Sequence, residues 1–237
     1  MSSTIMGVSE EVETAGKRTR LSAEKRRALL VDLGVEWLAS RPLEEITPEG
    51  LAEAAGVSSG LMFYYFGTRQ GLHAEILHAA AQKLWSAIDP PEKMPPHARI
   101  YYMLMTAVNY AAANNALFWA INQSMYSFEP QIRDATLPVR EDAIEYVCSA
   151  LFEMGVPDVP AIRVCVRTWV ITVESLLRNQ FQLRHKDPRN PENLDTSLIS
   201  SILEHSLFGM IDTSLTWTRS RANEESVTSH LAATQGA

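Results

Sequence analysis

Between Thr47 and Leu72 the chain sets hydroxyls, glycines and aromatic rings at spacings suited to gripping a nucleic acid. Thr47 and Ser58 each precede a helix-length segment, where a hydroxyl and unpaired backbone amides together suit a phosphate. Ser59, Gly60, Phe63 and Tyr64 follow on the second segment. Gly60 allows close backbone approach, and Tyr64 offers both a hydroxyl and an apolar ring for a thymine methyl. Arg69 opens the next segment, where its guanidinium can hold a phosphate beside the positive end of that helix.

The elements that must position these groups are legible from their punctuation. Five of the eleven glycines (Gly50, Gly56, Gly60, Gly67 and Gly71) fall in this stretch. Thr47 is a good N-cap, Pro48 occupies the first helical position where a missing N–H costs nothing, and Gly56 stops the helix. Leu51, Ala54 and Ala55 read as its small apolar face. Ser58 caps a second helix through Phe66, and Gly67-Thr68 ends it and caps a third. Two short helices joined by a glycine-containing turn describe a helix-turn-helix, whose second helix enters a DNA major groove. Met62 and Phe66, one turn apart, are expected to anchor that helix against the first helix of the chain.

From Leu29 to Leu72 the chain resembles the DNA-binding domain of the TetR family of bacterial transcriptional regulators. The carriers are the runs A-L-L-V-D-L-G-V-E-W-L-A-S, I-T-P-E-G-L-A-E-A-A-G-V-S-S-G and L-M-F-Y-Y-F-G-T-R-Q-G-L. The resemblance assigns DNA contacts to Thr47, Ser58, Ser59, Gly60, Phe63, Tyr64 and Arg69. It covers roughly a fifth of the chain. Two positions depart from the family pattern: Phe63 stands where a tyrosine is frequent, removing a hydroxyl, and Arg69 stands for the usual lysine. The resemblance further implies repression of an operator, a homodimer built from the last two helices, and a small effector.

The formal charge of −7 conceals an uneven distribution. Residues 17–88 are nearly balanced at +1, while residues 89–237 carry −5 and residues 1–16 carry −3. Affinity for DNA therefore has to come from a few placed groups and from doubling, not from a uniformly positive face. Lys17, Arg18, Arg20, Lys25, Arg26 and Arg27 form a basic run that either reaches a minor groove or is simply solvated. Cys148 and Cys165 lie in apolar helical surroundings without metal-ligand spacing and read as small buried hydrophobes. No leader pattern and no membrane-length apolar run are visible, so a cytoplasmic protein without membrane contact is expected.

The whole reads as all-α. Residues 1–20 are expected to be a flexible arm, residues 21–70 the helix-turn-helix domain with a linking helix at 69–88, and residues 89–220 a helical ligand-binding and dimerisation domain. Residues 221–237 are expected to be a disordered tail. Helices are placed at 22–39, 48–55, 59–65, 69–88, 97–113, 115–127, 138–154, 160–184 and 195–218, with Pro130 and Pro138 flanking a break. In the first, Leu30, Leu33, Gly34, Trp37 and Leu38 make a core stripe. The helix at 69–88 is apolar on two sides and should pack between two bodies.

On the helix at 115–127, Phe118, Ile121, Met125 and Phe128 repeat at core spacing. Asn115, Trp119, Asn122 and Tyr126 form a second stripe of amides and rings, to which Tyr102 and Asn109 add from the preceding helix and Trp169 from a later one. That stripe is either a cavity for a small, largely apolar effector or core with a wet amide edge. Arg163, Arg167, Glu174 and Arg178 are solvated, paired across a dimer, or holding an acidic ligand, in that order of preference. The last helix has Ile202, Ser206, Gly209 and Thr213 at close-packing spacing and is apolar nearly all round.

No catalytic arrangement emerges. His73 and His78 are five apart and share no face, Glu141 and Glu145 form an ordinary acidic helix face, and no nucleophile-base or phosphate-loop spacing occurs. The expectation is a non-enzymatic, ligand-responsive repressor without cofactor or metal, partnered by double-stranded operator DNA, a small-molecule effector and its own second copy. The alternative is an all-helical ligand-binding or scaffold protein that never meets DNA.

Overall fold

The structure is a computed structural model and describes residues 22–91 and 93–235. Among these there are nine α-helices and no strand. They are α1 (Ala23–Leu38), α2 (Pro48–Ala55), α3 (Ser59–Phe66), α4 (Arg69–Ile88), α5 (Pro96–Ala113), α6 (Asn115–Ser124), α7 (Pro130–Glu153), α8 (Pro160–Lys186) and α9 (Thr196–Gln235). The all-α expectation holds. The arm at 1–20, with Lys17, Arg18 and Arg20, lies outside the described residues.

Helix α4 joins two layers. It packs against α1 and α3 on the N-terminal side and against α5, α6 and α7 beyond. Leu72, Ile76, Leu77, Ala80, Ala81, Leu84 and Ile88 are all buried, so the two-sided apolar pattern reflects two-sided packing. Two glycines set how close its neighbours come. At Gly34 a β-carbon would lie 2.6 Å from Ile76 Cγ1. At Gly71 it would run into the Phe66 carbonyl oxygen, a rigid obstacle.

Several expectations need correction. Val31 and Val35 join Leu30, Gly34 and Leu38 as the buried face of α1, while Leu33 and Trp37 stay half-buried. In α2 the buried residues are Pro48, Leu51 and Ala52; Ala54 and Ala55 face solvent, so the packed side includes the first turn and not the last. Helix α7 begins at Pro130 and runs through Pro138 without a break. An interior proline costs about 3 kcal/mol through its lost hydrogen bond and ring clash. Here Pro138 and Asp134 are both exposed, so the freed Asp134 carbonyl can bond water, and burial of Ile132, Thr136 and Arg140 on the opposite side holds the helix.

Helix α6 stops at Ser124, whose hydroxyl bonds the Ile121 carbonyl (2.7 Å) and Thr136 Oγ1 of α7 (2.9 Å). Phe128 therefore lies off the helix and is fully exposed, not core. The backbone of α9 remains helical through Gln235, beyond the expected end near 218 and across the segment expected to be disordered. That stretch contains neither glycine nor proline before Gly236, so nothing in it breaks a helix already under way.

Exchanging Gly71 for Ala should lower unfolding free energy by about 1–3 kcal/mol, since overpacking against backbone exceeds the gain of about 1 kcal/mol in helix propensity. Urea unfolding followed by circular dichroism measures it; an unchanged midpoint would mean that α3 and α4 are not held this closely.

Candidate nucleic-acid interface

Helix α3 divides cleanly into an anchored side and a free side. Met62 is almost wholly buried and Phe66 is 9 % exposed, against Tyr64 at 80 % and Phe63 at 46 %. Ser58, Ser59 and Gly60 are exposed at its N-terminus. The anchored side is fastened further by Arg27 of α1, which lies 5.4 Å from the Phe66 ring centre and pairs with Glu75 of α4 at 2.6 Å. Arg27 is thus spent on holding three helices together, whereas Lys25 is exposed.

The helix ends behave as their residue types require. Thr47 Oγ1 accepts from the Gly50 amide (3.1 Å), Ser58 Oγ from Leu61 (3.3 Å) and Thr68 Oγ1 from Gly71 (3.0 Å). Gly56 and Gly67 take positive φ values of 64° and 70°, which non-glycine residues rarely adopt. Gly60 is different. Its φ is ordinary for a helix, and a β-carbon there would meet nothing nearer than Ser58 Oγ at 3.9 Å. No intramolecular packing asks for a glycine at that place, whereas a close external partner would.

All seven residues assigned to DNA contacts therefore belong to one end of the molecule, on α2, α3 and the start of α4. Thr47 is half-buried and Ser58, Ser59, Gly60, Phe63, Tyr64 and Arg69 are exposed. Arg69 departs from expectation in detail: its guanidinium donates to the Glu44 carbonyl, tying α4 to the turn before α2. Four of its five N–H groups stay available after one such bond.

The spacing of His73 gave no sign of its role, which depends on a distant backbone atom. It is buried, and its Nε2 lies 2.7 Å from the Ile46 carbonyl, one residue before the Thr47 cap. The neutral ring donates there. Burial pushes its pKa below 6.5, with the Ile46 bond opposing and Arg69 adding to the shift. A base held neutral in the fold contributes stability that is complete above pH 6.5 and is lost as pH falls toward its lowered folded pKa.

Behind this end the molecule contains a cleft of about 1010 Å³ between the α1–α2 connection and α6. Arg41, Glu44, Arg69 and His73 face it from the N-terminal side, and Asn115, Trp119 and Tyr126 from the other. A smaller cavity of about 290 Å³ between α6 and α8 shares Tyr126 with it and is also lined by Asn122. Four of the seven residues expected at a ligand are thus brought together. Tyr102 and Asn109 line neither space, and Trp169 is core: its indole N–H donates to the Leu203 carbonyl (2.7 Å), joining α8 to α9.

Of the four charges singled out on α8, Arg163, Arg167 and Glu174 are paired within the chain, not simply solvated. Arg163 bridges Asp158 and Glu145 (both 2.8 Å), and Arg167 holds Glu141 (2.5 and 2.8 Å), which accounts for the acidic face of α7. Arg140 holds Glu174 at 2.9 and 2.5 Å in a nearly buried bidentate pair. Burial raises the Glu174 carboxyl above its usual range, with Arg140 opposing. Cys148 is buried and Cys165 half-buried, both as free thiols.

Two measurements check this geometry. Gly60→Ala should leave the fold as stable or up to about 1 kcal/mol more so, while weakening DNA affinity by tenfold or more. Parallel loss of stability would show that the glycine serves the fold. For His73→Gln, unfolding midpoints between pH 7.5 and 5 should fall less steeply than for the parent chain; identical slopes would remove His73 from the account.

The comparisons with known proteins agree with this geometry. The family model "Bacterial regulatory proteins, tetR family" matches residues 30–76, which span α1 from Leu30 to the middle of α4. The HTH-type transcriptional regulator LuxR of Vibrio harveyi is 29% identical over 109 residues, covering 46% of this chain and 49% of its own length. The match thus spans about half the length of that relative. A tetR-family transcriptional regulator from Streptomyces coelicolor superimposes with a TM-score of 0.65 at 23% identity, covering 83% of this chain and 85% of that one. The fatty acid degradation regulator FadR from Bacillus halodurans does so at 0.57 and 16% identity, over 78% and 95%. These likenesses show a shared fold through both layers, and the family match shows that residues 30–76, from α1 to the middle of α4, are similar to the tetR-family regulatory domain.

Proposed function

We propose that this protein is a DNA-binding transcriptional regulator, working as a homodimer on a near-palindromic operator and released by a small effector. The observation that carries the reading is the split of α3: Tyr64 and Phe63 stand out into solvent while Met62 and Phe66 fasten the same helix to the core. Aromatic exposure on a rigid, capped helix is costly to leave unpartnered, and a major groove accepts a helix of this size. Gly60 adds a second reason, since a β-carbon there would fit within the chain and its absence leaves room for a close outside partner.

Dimerisation is supported by the outward faces of the last two helices. Leu203, Leu207 and Ile211 of α9 point into the core, and Ile162, Val166 and Trp169 of α8 do the same. On their other sides Val164 and Ile171 of α8, and Leu198, Ile202, Phe208 and Trp217 of α9, remain exposed. Apolar residues arrayed along two neighbouring helices fit a self-complementary four-helix contact. A two-fold pair would set two α3 helices about 34–36 Å apart, one DNA turn.

Effector release is supported by the position of α6. It touches both α1 and α4, and it forms one wall of the cleft behind the reading head. A molecule that favours one spacing of α6 against α4 shifts the distance between the two heads, provided that it binds the two states unequally. Coupling of about 1–3 kcal/mol, roughly 5–150-fold in DNA affinity, is the usual size of such an effect.

Selection of genomic fragments by the purified chain should yield a sequence with two-fold symmetry, bound with strong dependence on salt. Tyr64→Ala should weaken that binding at least tenfold with no change in melting temperature. Ile202→Glu should shift the chain toward monomer in sedimentation and weaken the operator complex more than non-specific binding. Retention of full affinity by both variants would leave the all-helical binding or scaffold protein as the better reading.

A further inference from the structure

We propose that the cavity between α6 and α8 takes a small organic acid that also carries a hydroxyl or N–H donor. This deepens the effector reading above, and rests on it for any effect on DNA. Two unmet demands at the cavity wall define the ligand.

The first is Asn122. It is 5 % exposed, and its Nδ2 donates to the Phe118 carbonyl at 2.9 Å. That bond fixes the amide orientation, because exchanging its ends would set oxygen against oxygen. Its Oδ1 is enclosed and has no hydrogen-bond partner among the described residues. A buried acceptor without a donor is destabilising in any folded protein, and a ligand hydroxyl or N–H removes the deficit. Tyr126 lines the same cavity as Asn122 and is 56 % exposed, so a ligand that reaches Oδ1 passes beside its ring.

The second is Arg178. Its guanidinium lies 5.7 Å from the Trp119 ring centre and donates to Ser175 Oγ at 3.3 Å, but among the described residues it forms no ion pair with a carboxylate. Every other arginine on α8 up to this point is paired: Arg163 with Asp158 and Glu145, Arg167 with Glu141. Glu174 is near enough to feel the Arg178 charge, yet both its oxygens are taken by Arg140. A guanidinium placed over an indole, with N–H groups left over, is suited to a planar carboxylate.

The rest of the lining limits the ligand. Ile171 and the Tyr126 ring are apolar, and Glu174 is unavailable as a counter-ion for an amine because Arg140 occupies it. The volume of about 290 Å³ suits a compact molecule. A purely apolar effector would leave Asn122 Oδ1 unpaired and would cover Arg178 without compensating its charge, so the proposed ligand is more polar than the molecule expected from the aromatic stripe. Tyr126 also lines the larger cleft beside the reading head, so a ligand that moves this ring is felt on both sides of α6.

The test uses the full chain and two matched sets: 3-hydroxybenzoate, benzoate and phenol, and 3-hydroxyoctanoate, octanoate and octan-2-ol. Binding is read by tryptophan fluorescence and melting temperature, operator affinity separately by anisotropy. In at least one set the hydroxy acid should bind about tenfold tighter than either single-function analogue. Asn122→Leu should abolish its advantage over the plain acid, and Arg178→Gln its advantage over the alcohol. Equal binding within both sets, or no binding by either hydroxy acid at millimolar concentration, overturns the proposal without need of any variant. Hydroxy-acid binding that leaves operator affinity unchanged supports the site and defeats the effector reading. Operator release by octan-2-ol or phenol with no preference for the acids does the reverse.

Discussion

Helix α4 cannot be satisfied by either half of this molecule alone. Its buried side chains need α1 and α3 on one side and α5, α6 and α7 on the other. Each large aliphatic residue contributes about 1.5–3 kcal/mol when buried, so Leu72, Ile76, Leu77, Leu84 and Ile88 together represent a large share of a typical domain's stability. Neither layer can shift without disturbing packing that the other also uses. The contacts at Gly34 and Gly71 leave no slack on the reading-head side: α1 meets α4 through Ile76, and the end of α3 meets α4 at backbone contact. A displacement of α4 must therefore carry α3 with it. This shared packing underlies the proposed coupling between α6 and Tyr64.

The polar interactions divide by what burial does to them. Arg163 with Asp158, and Arg167 with Glu141, are exposed pairs, and such pairs contribute little individually. Arg140 and Glu174 are nearly buried, and the cost of removing both from water consumes much of their attraction. Their consequence is positional. The pair joins α7 to α8, supports Tyr126 at 4.9 Å from the Arg140 guanidinium, and occupies a carboxylate near enough to feel the Arg178 charge. His73 plays a comparable part at the other end, where its bond to Ile46 fixes the residue that leads into the Thr47 cap. In both places a buried polar contact decides where a functional surface stands more than how stable the chain is.

Legibility in the sequence followed the range of the interactions. Caps and stops are local, so Thr47, Pro48, Gly56, Ser58, Gly67 and Thr68 marked α2, α3 and the start of α4 within one residue. The split of α3 was likewise readable, because Met62 and Phe66 stand one turn apart on a helix only eight residues long. Pro138 misled for the same local reason. A proline is a strong breaker in isolation, but α7 is held by distant helices that a scan along the chain does not see. Phe128 misled through extrapolation of a period past Ser124, where the helix had already ended.

The sequence alone determined the helical class, the boundaries of the helix-turn-helix, and which side of α3 is free, since these depend on φ preferences, capping hydroxyls and a 3.6-residue period within a few turns. Only the tertiary structure decided which arginines were spoken for, that Trp169 belongs to the core and Asn122 to a cavity wall, and that His73 bonds Ile46. These depend on pairings between residues up to 34 positions apart or on cavities between helices, for which a one-dimensional pattern carries no distance.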